Sequence, residues 1–214
     1  MLVHFFPRYA GLIGIALIVS CLLFITAPLA NAASSNALRI QITDQRGVPV
    51  RDAVIEIHPA NAKAGNIRFP WRMAMAQRRQ QFAPGTLVIA KGSTVAFPNL
   101  DKVRHSIYSF SKPARFEIDL YGRDETRTHR FPIAGSVKLG CNIHDDMRGY
   151  IRVTDTPFAG KTDRNGYITV SNLPTGAGRL TIWHPQMRSP GNELRQNIRI
   201  GAGTQSRQVK VRLR

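Results

Sequence analysis

Short runs of alternating apolar and polar residues cover most of the chain after residue 33, and such alternation is typical of β-strands. Glycine, proline, asparagine and aspartate separate these runs and indicate turns, and no long helical periodicity interrupts them. The segment 61–80 is the one place where a short helix would fit, and its second half is interpreted as a strand. The pattern therefore predicts an all-β fold.

The first 32 residues follow a different pattern. A short segment with Arg8 precedes an almost wholly apolar run from Leu12 to Ile25, and an A-x-A cleavage site ends at Ala32. We expect an export signal that is cleaved near Ala32. An uncleaved membrane anchor and lipidation at Cys21 are the alternatives, although the apolar run continues past Cys21. All three place the folded part outside the cytoplasm, in the periplasm of a Gram-negative host.

The chain has a formal net charge of +17, which raises the question of nucleic-acid binding. Most acidic residues fall between positions 95 and 155, whereas Lys and Arg are in large excess both before and after that segment. They form no cluster interleaved with aromatic residues and match no nucleic-acid-binding motif. We therefore expect no nucleic acid as a partner, and an anionic membrane, cell wall or acidic protein instead.

The segment Cys141–Met147 carries the chemistry, because it holds a thiolate, an imidazole and a thioether at every third residue. Predicted strands at 136–140 and 149–153 flank it, so the segment is interpreted as a tight loop in which these side chains can converge. Together with a second histidine they form the donor set of a mononuclear copper site. His105, which follows a turn signal in another part of the chain, is the candidate for that second histidine.

Residues 66–154 resemble a cupredoxin, the plastocyanin and amicyanin family of type 1 copper proteins. The segment Gln81–Asn99, the histidine at 105 and the Cys-x-x-His-x-x-Met loop carry the resemblance. It implies one copper ion and a Greek-key β-sandwich. The implied copper ligands are His105, Cys141, His144 and Met147, and the implied residues behind them are Phe97, Pro98 and Asn99.

Other interpretations of the same residues remain open. Zinc accepts cysteine and histidine but prefers a carboxylate, cysteine or histidine to methionine as its fourth ligand. A lone cysteine such as Cys141 is often only a small buried hydrophobe, which leaves a metal-free module as an alternative. The sequence departs from amicyanin-like loops in having Asp145 and Asp146 after the second histidine, where proline is usual. These carboxylates would favour Cu(II) and alter the docking surface.

Two separated segments, 37–60 and 156–214, resemble one small module, the carboxypeptidase regulatory-like or transthyretin-like β-sandwich with an Ig-like arrangement. The matching motifs are an Asp-x-x-Gly turn after Leu38–Thr43, a strand at Val48–Ile57, and Thr-Asp-x-x-Gly at Thr162–Gly166. We expect the cupredoxin to be inserted into a loop of this sandwich, since insertion at exposed loops is tolerated. The rival is that 37–60 simply extends the cupredoxin.

The predicted function is one-electron transfer by an exported blue copper protein that is not an enzyme. A redox partner protein is expected, either an acidic protein or a periplasmic dehydrogenase, because related two-part proteins are labelled methylamine-utilisation proteins. The alternatives are a periplasmic protein that binds or delivers copper, and a metal-free surface module. An enzyme of this family would need further copper centres, and only His58, His129 and His184 remain after His105 and His144 within the exported part.

Overall fold

The computed structural model describes residues 36–62 and 65–214, so the predicted export signal lies outside the described residues. These residues form β-strands, a 3₁₀ turn at Pro190–Asn192 and no α-helix, which confirms the all-β fold. Within the described part of the chain, no helix is long and apolar enough to cross a membrane. In chain order the strands are β1 (Ala37–Thr43), β2 (Val54–Pro59), β3 (Ala76–Arg78), β4 (Gln81–Ala83), β5 (Thr86–Ala90), β6 (Thr94–Pro98), β7 (His105–Ser111), β8 (Ala114–Tyr121), β9 (Thr126–Arg130), β10 (Gly135–Cys141), β11 (His144–Thr154), β12 (Ala159–Lys161), β13 (Tyr167–Val170), β14 (Gly176–Trp183), β15 (Glu193–Ile200) and β16 (Thr204–Lys210).

The central part of the chain forms one sandwich. Its main sheet has five strands in the order β5-β11-β10-β7-β8, and the pairs β6-β9 and β3-β4 complete it. Strand β11 runs parallel to β5 and antiparallel to β10. Apolar side chains of the main sheet, such as Leu139 and Ile151, share a buried cluster with Val95 and Phe97 of β6. This cluster is the hydrophobic core of the first sandwich, and it supports the candidate ligands.

The two ends of the described chain form a second sandwich. One sheet has the order β13-β1-β16 and the other β12-β2-β14-β15. Strand β1 runs parallel to β16 and antiparallel to β13. Side chains from both sheets, including Ile40, Ile55, Leu180 and Ile198, form a separate buried cluster. Each of these sheets therefore contains strands from before residue 60 and from after residue 158.

The strand pairing bears on the expected insertion. Strand β2 pairs with β14 and β12, which is the pairing that an insertion of the cupredoxin requires. The division into domains at the boundaries given above stays a prediction. Strand β2 begins at Val54 rather than at Val48, because Val48–Ala53 forms a turn in which Asp52 has a φ of 58° and Pro49 bridges back to Thr43.

Two Asp-x-x-Gly turns have the same construction in the second sandwich. The carboxylate oxygen Oδ1 of Asp44 accepts hydrogen bonds from the amides of Arg46 and Val48, both at 2.9 Å. Asp163 does the same after β12, with amide nitrogens at 2.8 Å. The glycine that ends each turn has a positive φ, 85° at Gly47 and 75° at Gly166. Aspartate thus closes each turn and glycine supplies the left-handed backbone that it needs.

A buried ionic network joins the two sandwiches. Arg152 of β11 contacts Glu56 of β2 through Nε at 3.0 Å and Glu193 of β15 through Nη1 at 2.6 Å. Ser136 accepts a further hydrogen bond from Nη1 at 2.7 Å. Burial would lower the pKa of Arg152, but the two carboxylates raise it above its ordinary value. Charge pairing therefore fixes β11, which carries candidate ligands at its other end, against the second sandwich.

Candidate metal centre

Three side chains predicted as ligands meet at one end of the first sandwich. Nδ1 of His105 lies 3.8 Å from Sγ of Cys141, and Nδ1 of His144 lies 3.6 Å from the same sulfur. The three donor atoms all lie within 4.8 Å of one another. Within the described residues this is the one group of three or more His, Cys, Asp or Glu side chains with the spacing of a metal site.

The strand arrangement explains this convergence. His105 begins β7, Cys141 ends β10 and His144 begins β11. Because β7 and β10 are antiparallel neighbours, the start of one and the end of the other lie at the same edge of the sheet. A register shift between Gly140 and Cys141 then brings Cys141 opposite His144.

The connection after Cys141 is shorter than the sequence predicts. The sequence predicts a loop from Cys141 to Met147, whereas in the structure β11 already begins at His144 and only Asn142 and Ile143 form the turn. The irregular pairing at Cys141 allows the two strands to continue almost to the ligands. All three donors are therefore held by strand backbone, which limits their movement.

The donor set and its spacing fit a bound metal ion. A divalent ion such as zinc bonds imidazole nitrogen at about 2.0 Å and thiolate sulfur at about 2.3 Å, which places tetrahedral or trigonal ligands about 3.5–3.7 Å apart. Of the observed nitrogen–sulfur separations, 3.6 Å lies inside that range and 3.8 Å lies just above it. Two imidazoles and one thiolate also form the trigonal set that suits copper.

Burial distinguishes the four predicted ligands. His105 is fully buried, and Cys141 and Met147 are 3% and 1% exposed. His144 is half-buried and is the predicted ligand with the greatest access to solvent. Met147 belongs to the same buried apolar cluster as Cys141, so its thioether is held inside the fold near the other donors' strands.

The residues expected behind the site have separate structural roles. Phe97 is fully buried in the core, and its carbonyl accepts a 3.0 Å hydrogen bond from the Tyr121 hydroxyl. Asn99 is also fully buried and donates from its amide to the carbonyls of Val103 and Tyr121. Pro98 ends β6 and is half-buried. Asn99 thus ties down the backbone that leads to His105.

Sequence reasoning missed Asp101 as a member of the site. Its Oδ2 lies 2.9 Å from Nε2 of His105, and its two oxygens accept hydrogen bonds from the amides of Arg79 and Gln80. Burial would raise the pKa of Asp101, but these amides and the imidazole lower it below its ordinary value. An ionised Asp101 that accepts the Nε2 proton leaves Nδ1 free to bind a metal. The spacing of four residues to His105 was the available signal.

Ser106 is a second residue that the sequence did not single out. Its Oγ accepts a 3.0 Å hydrogen bond from the amide of Asn142 and lies 3.9 Å from Sγ of Cys141. This bond ties the turn after Cys141 to strand β7. Nothing in the sequence distinguishes Ser106 except its position beside His105.

The remaining histidines of the described residues lie away from the site. His58 pairs with Asp155 at 2.8 Å, and His129 stacks on Phe116 with ring centroids 3.7 Å apart. Burial lowers the pKa of His129 and also that of His184, which follows β14. None of the three belongs to the metal-site group described above.

Comparisons with known proteins add a partial resemblance. No protein-family model matches the chain, and no curated protein matches it. A purple cupredoxin from Nitrosopumilus maritimus is 22% identical, with 38% of this chain and 98% of that one covered and a TM-score of 0.35. A reduced Cu(I) amicyanin variant is 19% identical, with 47% and 98% covered and a TM-score of 0.36.

A copper-containing nitrite reductase from Thermus scotoductus is 27% identical, with a TM-score of 0.38. That match covers 46% of this chain, which spans about a quarter (25%) of the length of the reductase. These three structures are two cupredoxins and a copper enzyme, at low identity and over less than half of this chain.

Proposed function

We propose that this protein is an exported type 1 copper protein that transfers one electron at a time. The observation that supports the proposal is the meeting of two imidazole Nδ1 atoms and one thiolate at 3.6 and 3.8 Å. Copper would be held by His105, Cys141 and His144, with Met147 as the axial ligand. Copper in such a site supplies one-electron chemistry by alternating between Cu(II) and Cu(I).

The chain's own residues would hold the site in one geometry. His105 is oriented by Asp101, and the turn after Cys141 is tied to Ser106. Both contacts hold the ligands from outside the donor set, so little rearrangement of these ligands is needed when copper changes its oxidation state. The core around Cys141 excludes water, while half-buried His144 gives the shortest route to solvent and to a partner.

The partner in this proposal is a redox protein, either an acidic protein or a periplasmic dehydrogenase of the methylamine-utilisation type. The periplasm is the proposed compartment because the sequence predicts an export signal. A free thiol in that oxidising compartment would be protected if it were buried and bound to metal. Cys141 is buried and is the one free cysteine of the described residues.

Copper binding and delivery is the second candidate function. It is favoured by the exposure of Asp145 and Asp146 beside His144, which would offer a departing ion a stepwise path to solvent. A delivery protein must exchange its ion readily, whereas a carrier must retain it through both oxidation states. The two functions can therefore be separated by the rate at which a chelator removes copper.

The first experiment is to add Cu(II) to the purified protein and record visible and electron paramagnetic resonance spectra. We expect an intense thiolate-to-copper band and narrow hyperfine splitting, both lost in Cys141→Ser. His58→Gln, which removes a histidine outside the metal-site group, is the control and should keep both signals. A colourless protein, or a spectrum that Cys141→Ser leaves unchanged, would contradict the type 1 site.

A chelator experiment on the same samples separates the two functions. Electron transfer predicts that copper stays bound through repeated cycles of reduction and oxidation in the presence of a chelator. Loss of the copper to the chelator within the first cycle, with the blue colour otherwise normal, would favour delivery.

A further inference from the structure

The outer face of the five-stranded sheet carries aromatic and basic side chains next to the metal centre. Gly140 is paired with Tyr108 on one side and Arg148 on the other, and Lys138 is paired with Tyr150. Residues opposite each other in a sheet share a face, and so do residues two apart along a strand. The face therefore presents Tyr108, Phe110, Lys138, Gly140, Arg148 and Tyr150.

Two adjoining depressions make this face concave. The first has a volume of about 390 Å³ and is lined by residues that include Tyr108, Phe110 and Met147. The second, of about 690 Å³, reaches the second sandwich at Trp183 and Arg214. Both are lined by Ser111, Lys138 and Arg148, so they form one continuous surface, which we call the sheet-face trough.

Aromatic rings line the trough without being covered by the chain. Phe110 is 74% exposed, and its ring centroid lies 5.2 Å from that of Tyr108. The Tyr108 ring lies so close over Gly140 that an added Cβ there would come within 2.5 Å of it. The Tyr108 ring therefore packs directly on the backbone of Gly140, the residue before Cys141. Aromatic residues are enriched on surfaces where one protein contacts another.

The charge of the trough is mainly positive. Lys112, Lys138, Arg148 and Arg214 line the second depression, and within the described residues none of them forms an ion pair. The carboxylate of Glu193 is there too, but Arg152 and Arg195 already neutralise it at 2.6 Å each.

The charges favour a protein over a nucleic acid as the occupant. The basic residues lie singly, with Lys138 on β10 and Arg148 on β11, and the end of the trough nearest the metal centre carries the exposed carboxylate of Asp145. A continuous phosphate backbone would meet that carboxylate, whereas an acidic protein segment can place a neutral or basic residue there.

We propose that the sheet-face trough is the docking site for an acidic segment of the partner protein. Carboxylates of the partner would pair with Lys138, Arg148 and Arg214, while its apolar side chains would cover Phe110. The second sandwich would then have a definite role, since it supplies the exposed Arg214 at the far end of the trough. That the bound partner exchanges electrons rests on the proposed function, but the docking itself does not.

The test uses a fluorescein-labelled peptide of ten glutamates and measures its fluorescence anisotropy with the purified protein. We expect saturable binding that weakens as salt is raised, because the charges involved are exposed. The double variant Lys138→Glu/Arg148→Glu should lower the affinity by roughly tenfold or more. The matched control makes the same change of charge on exposed residues of β16, as Arg207→Glu/Lys210→Glu, and should change the affinity less than twofold.

A third variant separates docking in the trough from general attraction between charges. Phe110→Ser leaves the net charge unchanged and should lower the affinity about fivefold, because it removes the exposed ring. Equal loss of affinity in the trough variant and in the β16 variant would overturn the proposal, as would the absence of peptide binding. Tighter binding of a ten-nucleotide deoxythymidine oligomer than of the peptide, lost in the same trough variant, would overturn it in favour of a nucleic acid.

Copper spectra of the same variants keep the two proposals apart. Lys138→Glu/Arg148→Glu changes no proposed ligand, so its blue colour should match that of the unmodified protein. A colourless protein that binds the peptide through the trough would refute the copper function and leave the docking site standing. A blue protein that does not bind the peptide would refute the docking site and leave the copper function standing.

Discussion

Replacing Arg152 by methionine tests the ionic network that joins the two sandwiches. Arg152 is 6% exposed and Glu56 is 3% exposed, so neither charge can be solvated by a small movement. The substitution keeps much of the side-chain volume but removes every donor that faces Glu56, Glu193 and Ser136. Glu56 would then be buried without a cation, and Glu193 would keep only the exposed Arg195.

Removing one partner of a buried ion pair costs about 3–5 kcal/mol of the free energy of unfolding. In a protein of this size, each kcal/mol lowers the melting temperature by about 2–4 °C, so we expect a decrease of roughly 6–20 °C. Thermal and urea unfolding, followed by circular dichroism and by tryptophan fluorescence, would measure it. Trp183 lies at the junction in a buried cluster with Val54 and Val88, so its emission reports on the separation of the sandwiches.

The pH dependence gives a second check on the same network. Burial would raise the pKa of Glu193, but hydrogen bonds from Arg152 and Arg195 lower it below its ordinary value of 4.5. A carboxyl with a lowered folded-state pKa adds stability above its unfolded pKa, and this stability is lost as the pH falls through the folded value. The difference between the unmodified protein and Arg152→Met should therefore shrink as the pH falls below 4.5.

The control for this prediction removes the carboxylates as well. Because a buried ion pair can often be replaced by apolar residues at little cost, Arg152→Met combined with Glu56→Leu and Glu193→Leu should regain at least half of the lost stability. The reasoning is wrong if the single variant loses less than about 1 kcal/mol, the value typical of an exposed pair. It is also wrong if the triple variant is less stable than the single one.

Three further substitutions test local features. Asp101→Ala should weaken copper binding about 10–100-fold in a chelator competition, as loss of a partner of a ligating histidine does, while Asp124→Ala at an exposed site should not. Gly166→Ala should lower the urea midpoint more than Gly47→Ala. Both glycines have a positive φ, but only at position 166 would an added Cβ clash with a carbonyl oxygen, so equal effects would contradict this. Tyr121→Phe should cost about 1 kcal/mol in urea unfolding through one lost buried hydrogen bond and leave the copper spectrum unchanged.

The sequence predicts the strands and the donors well because both depend on local pattern. The alternation of Leu38–Thr43 corresponds to β1, and the predicted strand at 136–140 corresponds to β10. The convergence of His105, Cys141 and His144 follows from donor chemistry and from the expectation that a tight connection joins two strand ends. The ligand roles of these residues and of Met147 stay predictions until a metal is measured.

Features that depend on distant parts of the chain could not be predicted. Asp101 reads as a turn residue, and only the folded backbone shows that its carboxylate reaches His105. Glu56 and Arg152 are far apart in sequence, and each alone looks like an exposed charge on a strand. The exposed charges of the trough likewise look scattered until strand pairing brings them onto one face.

The pairing of β1 and β2 with late strands has a consequence for biosynthesis. Both strands are synthesised before the first sandwich, yet their partners β12, β13, β14 and β16 are made only after the whole segment 60–158. The strands of the first sandwich all lie inside that segment, so they can pair while the chain is still growing. Pairing across such a sequence distance is slow, and unpaired strand edges are prone to aggregate. We therefore expect folding of the second sandwich to be the last step and a chaperone to protect β1 and β2 until it occurs.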